Sequence, residues 1–99
     1  MEMREFYKFY LSEHKNITNR RLHFLGTLLA FTSFLFILKT ERASLLFVPL
    51  ISGYGPAWVG HFFFEKNKPA SFKHPFKSFV CDWWMAFDIL RGKVSLKDN

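Results

Sequence analysis

The chain has 99 residues, a formal charge of +6 and an apolar composition, with 49% hydrophobic residues and 14 phenylalanines. This length predicts one domain, covering residues 1–99. The basic residues do not alternate with aromatic ones, as they do in grooves that bind single-stranded nucleic acid, so we expect no nucleic-acid partner. The single cysteine, Cys81, excludes an internal disulfide.

The first segment is predicted to form an amphipathic helix. Within residues 2–14, apolar and aromatic residues recur at i, i+3 and i+4 spacing, and His14 closes the series. The members of this stripe are Met3, Phe6, Tyr7, Tyr10, Leu11 and His14. Helices with such a stripe lie along membrane surfaces, with tyrosines at headgroup depth. The pattern therefore predicts an interfacial helix.

Two long apolar runs follow, at residues 22–38 and 43–64, and neither contains Asp, Glu, Lys or Arg. Each run has roughly the ~20 residues with which a helix crosses a bilayer, so together they predict a transmembrane hairpin. The second run is interrupted by Gly53, Gly55 and Pro56. Because proline removes a backbone donor from a helix, we expect the second membrane helix to break near Gly53–Pro56.

The positive charges indicate how this hairpin is oriented. Five Lys or Arg residues precede residue 22 and seven follow residue 64, whereas the connector has only Lys39 and Arg42. Cytoplasmic segments of membrane proteins are enriched in Lys and Arg, so both termini are predicted to be cytoplasmic. The membrane would be the bacterial inner membrane, or the endoplasmic reticulum of a eukaryote.

A second amphipathic helix is predicted after Pro75. Its apolar stripe consists of Phe76, Phe79, Val80, Trp83, Trp84, Phe87 and Leu90. We expect this helix to lie in the membrane interface as well. The predicted fold class is therefore all-α, with an integral membrane hairpin between two interfacial helices.

The histidines are the main candidates for chemistry. In a hairpin that turns at residues 39–42, His23 and His61 lie about 17 and 19 residues from the turn and therefore at similar depth. His14 lies on the face of the first helix that would meet them, and Glu65 follows His61 by one helical turn. Three imidazoles and a carboxylate suit a first-row metal, with iron, zinc, copper and nickel all open. His74 is expected only to face headgroups.

Two sequence blocks, HKNITNRRLHFLGT and GYGPAWVGHFFFEKNKPASF, resemble the signature blocks of a small membrane-protein family. That family includes the fungal 2-hydroxy fatty acid dioxygenase of phytosphingosine breakdown to odd-chain fatty acids. The matching residues are His14, Asn19, His23, Gly26, Gly60, His61, Glu65, Asn67, Pro69 and Ala70. The resemblance covers roughly residues 7–85. It implies an Fe(II)-dependent dioxygenase that uses O₂ to shorten a 2-hydroxy fatty acid by one carbon (α-oxidation), with iron held by His14, His23 and His61.

The polar residues near those histidines have expected roles, with alternatives open. Glu65 is either a fourth ligand or a base that steadies a ligand histidine. Asn19, Asn67 and Asp82 are expected to hold the imidazoles in the correct tautomer. Asn19 or Thr18 alternatively caps the first membrane helix, and Asp82 alternatively is a solvated charge.

The substrate contacts are less sharply defined. Arg20 and Arg21 either pair with the substrate carboxylate or reach lipid phosphates. The aromatic residues either contact the hydrocarbon tail or only pack; they are Trp58, Phe62, Phe63 and Phe64. Two other functions use the same features: a zinc-dependent membrane hydrolase, and a hairpin that shapes or scaffolds the membrane without catalysis.

Overall fold

The computed structural model describes residues 2–96, which are mostly helical and contain no β-strand. Met1 and residues 97–99, which the predicted domain 1–99 includes, lie outside this range. The four helices are α1 (Met3–Ser12), α2 (Ile17–Thr40), α3 (Phe47–Val59) and α4 (Pro75–Leu90). The short elements between them are a 3₁₀ turn (Ala43–Leu45), a π-helical turn (Gly60–Glu65) that continues α3, and a second 3₁₀ turn (Ala70–Phe72).

Helices α2 and α3 form the predicted hairpin. The first membrane-length segment has 24 residues, and the second, Ala43–Glu65, has 23. Both are long and apolar enough to cross a bilayer, with mean hydropathies of 1.7 and 1.2. Core helices of a soluble protein would be covered, yet only 17% and 11% of the most apolar stretches are buried. Such a large outward apolar surface is typical of contact with lipid or a partner.

Helix α2 begins at a polar cap, and the capping residue differs from the prediction. The side-chain oxygen of Asn16 accepts a hydrogen bond from the backbone N–H of Asn19, at 3.1 Å. Asn16 therefore occupies the position expected for Asn19 or Thr18. This arrangement leaves the Asn19 side chain, one turn into the helix, free to contact the site.

The predicted break near Gly53–Pro56 is wrong. Helix α3 runs unbroken from Phe47 through Pro56 to Val59, and the irregular turn comes later, at Gly60–Glu65. The missing N–H of Pro56 frees the carbonyl of Ser52. A Cβ on Gly26 would lie 3.2 Å from that oxygen and 2.7 Å from the oxygen of Gly53. A Gly26 C–H therefore points at both carbonyl oxygens. Such C–H···O contacts recur between closely packed helices, and here one of them is made to the freed carbonyl of Ser52, so α3 continues unbroken through Pro56.

Helix α1 packs on α4, and this contact forms the small core. Phe6, Tyr7 and Tyr10 of α1 are buried against Cys81 and Met85 of α4. The Tyr7 hydroxyl donates a 2.7 Å hydrogen bond to Asp88. The apolar face of α1 is thus covered by α4, whereas the sequence predicted that it would face the interface. The outward apolar stripe belongs to α4: Phe76, Phe79, Trp83, Phe87 and Leu90 are exposed, as expected from their spacing.

Candidate metal centre

Three histidines from three segments meet in the interior. His14 follows α1, His23 lies two turns into α2, and His61 lies in the π-helical turn. Their exposed fractions are 0%, 5% and 1%. Ring centroids are 4.3 Å apart for His14 and His23, 4.5 Å for His14 and His61, and 4.8 Å for His23 and His61. One ring nitrogen from each lies within 4.8 Å of the others. We call these residues the three-histidine cluster.

The π-helical turn and a glycine bring His61 into this cluster. The backbone N–H of Asn67 bonds to the His61 carbonyl at 3.0 Å, which closes the widened turn. Gly60, just before His61, touches α2: a Cβ there would lie 2.0 Å from the side-chain oxygen of Asn19. Only glycine lets the turn approach Asn19 this closely.

The Nδ1 atoms of His14 and His23 both face oxygen acceptors. His14 Nδ1 lies 2.6 Å from the carbonyl oxygen of Tyr10. His23 Nδ1 lies 3.2 Å from the carbonyl oxygen of Asn19 and 3.1 Å from its side-chain oxygen. The Asn19 amide is oriented because its nitrogen donates to Glu65 at 3.0 Å. Carbonyl oxygens only accept, so the proton of each neutral imidazole is on Nδ1.

His61 follows the same rule. Its Nδ1 lies 2.6 Å from the side-chain oxygen of Asn67. The Asn67 nitrogen donates to the Glu13 carbonyl at 3.1 Å and to the Glu13 carboxylate at 2.8 Å, which fixes the orientation of the amide. All three rings therefore carry their proton on Nδ1 and keep a lone pair on Nε2. This is the pattern that metal-binding histidines show, with the second nitrogen donating to a carbonyl.

No proton lies between the Nε2 atoms of His14 and His23. The Nε2 atoms of His14 and His23 are 3.0 Å apart, although both rings use their proton on the opposite side. Burial, and secondarily the neighbouring His23, lowers the pKa of His14 well below its usual value. The ring is thus neutral at pH 7. Buried acceptors facing one another are costly, and a bound cation would remove the cost, so the donor set fits a metal that accepts imidazole.

Glu65 does not reach the cluster directly. Its carboxylate accepts from the backbone N–H of Asn16 at 2.9 Å and from the side chain of Asn19 at 3.0 Å. Since the Asn19 side chain also faces His23 Nδ1, it lies between the Glu65 carboxylate and the imidazole and links the two. Of the two interpretations of Glu65, this geometry fits the one in which it steadies a histidine.

Asp82 lies on the other side of the cluster, where Tyr10 links it to His14. The Tyr10 hydroxyl donates to the Asp82 carboxyl group, and the Tyr10 ring stacks on His14 with centroids 4.0 Å apart. Burial raises the pKa of Asp82 to about 7, although the hydrogen bond from Tyr10 opposes this shift. Asp82 therefore exchanges a proton near neutral pH, and its link to the cluster runs through Tyr10 to His14.

The two arginines point away from the histidine nitrogens. Arg20 donates from Nε to the His14 carbonyl at 2.6 Å and from Nη1 to the Ser95 carbonyl at 3.2 Å. Arg21 donates to the Leu96 carbonyl at 2.8 Å. The structure thus places Arg20 and Arg21 on backbone oxygens around the C-terminal segment. Arg20 also fixes the backbone at His14, a role the sequence did not indicate.

The candidate aromatic residues lie mostly at the surface. Phe62, Phe63 and Phe64 are exposed, and Phe62 and Trp58 both contact Phe72. The structure does not bring the three phenylalanines to a cavity next to the histidines. His74, expected to face headgroups, is exposed and has its ring edge-on to Phe6.

A cavity of about 400 Å³ lies between α2, α3 and α4 beside the cluster. A second space, about 10 Å³, touches all three histidines and has room for one water-sized molecule. The walls shared by the two spaces are His23, Tyr54, Ala57 and Asp82. The buried hydroxyl of Ser78 borders the small space and has no hydrogen-bond partner within residues 2–96.

Several of these residues escaped the sequence analysis. Glu13 and Ser78 belong to no motif, and only the fold brings them to the site. Tyr54 lies within the second sequence block, but nothing in that block indicated a role for it. The large cavity did leave a signal in a series of α2 residues on one helical face, whose two middle members, Thr27 and Ala30, are small. That series is His23, Thr27, Ala30 and Phe34, spaced by four, three and four residues.

Fold and site together define a small helical protein with two helices long enough to cross a membrane and a buried three-histidine centre suited to a metal. The chain matches the family described as 2-hydroxy-palmitic acid dioxygenase Mpo1-like over residues 1–94. It belongs to that family, as its two sequence blocks predicted. Searches of curated proteins and of solved structures returned no match.

Proposed function

We propose that the protein is an Fe(II)-dependent dioxygenase that removes one carbon from 2-hydroxy fatty acids, with His14, His23 and His61 as the iron ligands. The observation that carries the proposal is the set of three Nε2 lone pairs that converge in a buried space. Each ring is held by an oxygen acceptor at Nδ1, so ring rotation cannot relieve the clash of lone pairs. A metal cation satisfies all three at once.

Iron is favoured over zinc by the redox chemistry that the family description implies. Zinc has no redox chemistry, whereas the family is described by a dioxygenase activity. Three neutral imidazoles leave open positions on a metal, and bound iron would supply the redox chemistry and orient both the hydroxy acid and O₂. In this proposal Glu65 acts on His23 through Asn19 and does not occupy one of those positions.

The protein's own groups provide orientation and proton transfer. Asn67 and Asn19 hold two imidazoles, and Arg20 holds the His14 backbone. Asp82 lines both spaces and, with a pKa raised by burial to about 7, can take a proton from the substrate hydroxyl and return it. The free hydroxyl of Ser78 is available to a water-sized molecule such as O₂ in the small space.

The proposed conversion balances with one O₂ for each substrate. The carbon that bears the hydroxyl becomes the carboxyl carbon of the shortened acid, and the original carboxyl carbon leaves as carbon dioxide. Together these changes release four electrons, which reduce O₂ fully, and one water forms. No external reductant is needed, so the chain requires no binding site for a reducing cofactor.

We place the α2–α3 hairpin in a membrane with both termini on the cytoplasmic side. The outward apolar surface of the hairpin and the positive charges outside the connector support this arrangement. The exposed phenylalanines Phe62, Phe63 and Phe64, and Trp58, then contact lipid near the cytoplasmic face. A substrate dissolved in the bilayer would reach the site without crossing water.

The proposal is tested with detergent-solubilised protein loaded anaerobically with Fe(II). Adding 2-hydroxypalmitate and then O₂ should give pentadecanoic acid by mass spectrometry. Palmitate, which lacks the 2-hydroxyl, and a sample kept without O₂ are the controls and should give none. Absence of the shortened acid from a sample that holds one iron per chain would refute the dioxygenase.

The same experiment separates the alternatives. A zinc hydrolase would act without O₂ and with zinc in place of iron. A membrane-shaping hairpin would leave the hydroxy acid intact in every sample, and its effect on vesicle shape would survive His61→Ala.

A further inference from the structure

The large cavity is a groove that follows the hairpin along one helical face. From α2 it is lined by His23, Thr27, Ala30 and Phe34, and from α3 by Ala57, Gly53 and Leu50. The 11 residues between His23 and Phe34 correspond to roughly 16 Å along the helix. We call this space the acyl groove. Its volume, about 400 Å³, is within the usual range for sites that enclose a small molecule.

Polar groups lie at only one end of the acyl groove. His23, Thr27, Tyr54 and Asp82 line the end beside the three-histidine cluster. The opposite end is lined by apolar side chains alone, those of Phe34, Leu46, Pro49 and Leu50. A groove with this polarity fits an amphiphile with a polar head and one long hydrocarbon tail, and it admits that molecule in one direction.

Helix α4 covers the polar end and reaches the middle of the groove. It contributes Phe79, Asp82 and Trp83, and the centroid of the Trp83 ring lies 6.0 Å from that of the Phe31 ring, one residue beyond Ala30. The apolar end is bounded by the hairpin alone, and its side chains Phe34, Leu46 and Leu50 are 43%, 47% and 59% exposed. The groove is therefore open sideways to whatever surrounds the hairpin, and a tail can enter it laterally from a lipid layer.

The middle of the groove is kept open by two small residues. Ala30 and Gly53 face each other across the hairpin, where a Cβ on Gly53 would lie 3.5 Å from the Ala30 Cβ. A larger side chain at position 30 would separate the polar end from the apolar end. The length of tail that the groove accepts thus depends on this position.

We propose that the acyl groove holds the tail of a long-chain 2-hydroxy fatty acid, with its head at His23 and its methyl end near Leu46, and that Ala30 determines the accepted chain length. The identity of the head group rests on the proposed function. The direction of the tail and the role of Ala30 rest only on the shape and polarity of the groove.

The test measures binding without turnover. Anaerobic Fe(II)-loaded protein in detergent is titrated with 2-hydroxy acids of eight to eighteen carbons in competition with a brominated fatty acid that quenches Trp83. Wild type should prefer long chains. Ala30→Phe should weaken binding of the sixteen-carbon acid at least about tenfold, as expected when about two or more methylenes lose contact, and leave the eight-carbon acid nearly unchanged. Leu29→Phe, which puts the same side chain at the adjacent outward position, is the control and should keep the wild-type profile.

The direction of the tail is tested with the position of the bromine. Bromine near the carboxyl end should quench Trp83 more than bromine near the methyl end, and Trp83→Phe should remove the difference. Ala30→Leu provides a smaller obstruction if Ala30→Phe does not fold. An unchanged length profile in the folded Ala30 variants, or stronger quenching from the methyl end, would overturn the inference. If the protein turns over substrate but the Ala30 variants keep the wild-type chain-length profile, the acyl groove is refuted and the dioxygenase stands. If binding depends on chain length but no turnover occurs, the dioxygenase is refuted and the groove stands.

Discussion

His14 and His23 face each other with their Nε2 atoms 3.0 Å apart, while Nδ1 of each ring is directed at a carbonyl oxygen. This relationship explains why two imidazoles from different segments occur together in a buried space. Their contact is unfavourable in a metal-free protein and becomes favourable when a cation is bound.

Metal binding should stabilise the protein through the cluster. We expect Fe(II) or Zn(II) at about 100-fold excess over its dissociation constant to add about 2.7 kcal/mol to the free energy of unfolding. His61→Ala should abolish this gain. His74→Ala, which removes an imidazole outside the cluster, should keep it. Thermal unfolding with and without chelator measures the difference, and equal stabilisation of wild type and His61→Ala would place the metal elsewhere.

Asn67 should control metal affinity without touching the metal. Its side-chain oxygen holds the proton-bearing Nδ1 of His61. Asn67→Ala removes that acceptor, and loss of such an outer partner weakens metal binding by about 10–100-fold. Lys68→Ala, at the exposed neighbouring position, is the matched control. Competition with a metal chelator gives the affinities, and an Asn67→Ala protein with wild-type affinity would contradict the role.

Two glycines in the second membrane-length segment should have opposite effects on stability when each is replaced by alanine. At Gly60 a Cβ would lie 2.0 Å from the Asn19 oxygen, so Gly60→Ala should cost about 1–3 kcal/mol and weaken metal binding by displacing Asn19 from His23. At Gly55 a Cβ would meet nothing within 4 Å, so Gly55→Ala should be neutral or stabilise by about 0.4–1 kcal/mol. Chemical or thermal unfolding compares them, and equal effects would mean that the Gly60 contact is absent.

Asp82 should make the metal-free protein less stable as pH rises from about 4 to 7. Burial raises its pKa to about 7 in the folded state, so in this range the folded protein holds a proton that the unfolded chain has lost. Asp82→Asn keeps an acceptor for Tyr10 but cannot titrate. The free energy of unfolding of wild type minus that of Asp82→Asn should therefore decrease as pH rises from about 4 to 7. A difference that does not vary with pH would refute the raised pKa.

Much of the site followed from the sequence because its determinants are periodic. The charge-free runs define the hairpin, and the hairpin places His23 and His61 at one depth. The i, i+3, i+4 series of α1 predicted the side on which His14 lies, although His14 itself follows the end of the helix at Ser12. These features depend on helical geometry, which local sequence largely specifies.

The remaining features depend on contacts distant in sequence. The π-helical turn at Gly60–Glu65 is held by hydrogen bonds that the Glu65 carboxylate accepts from Asn16 and Asn19, which no local pattern reveals. The break expected at Pro56 is absent because Gly26, on the other helix, faces the freed carbonyl. Arg20 and Arg21 bond to the C-terminal segment, whose position is fixed only by tertiary packing.

The most direct test of the account is X-ray absorption at the iron edge of protein loaded anaerobically with one Fe(II) per chain. The account predicts nitrogen neighbours with the scattering of about three imidazole rings, and the loss of one ring in each of His14→Ala, His23→Ala and His61→Ala. Iron surrounded only by oxygen neighbours, or a spectrum unchanged in all three variants, would contradict it.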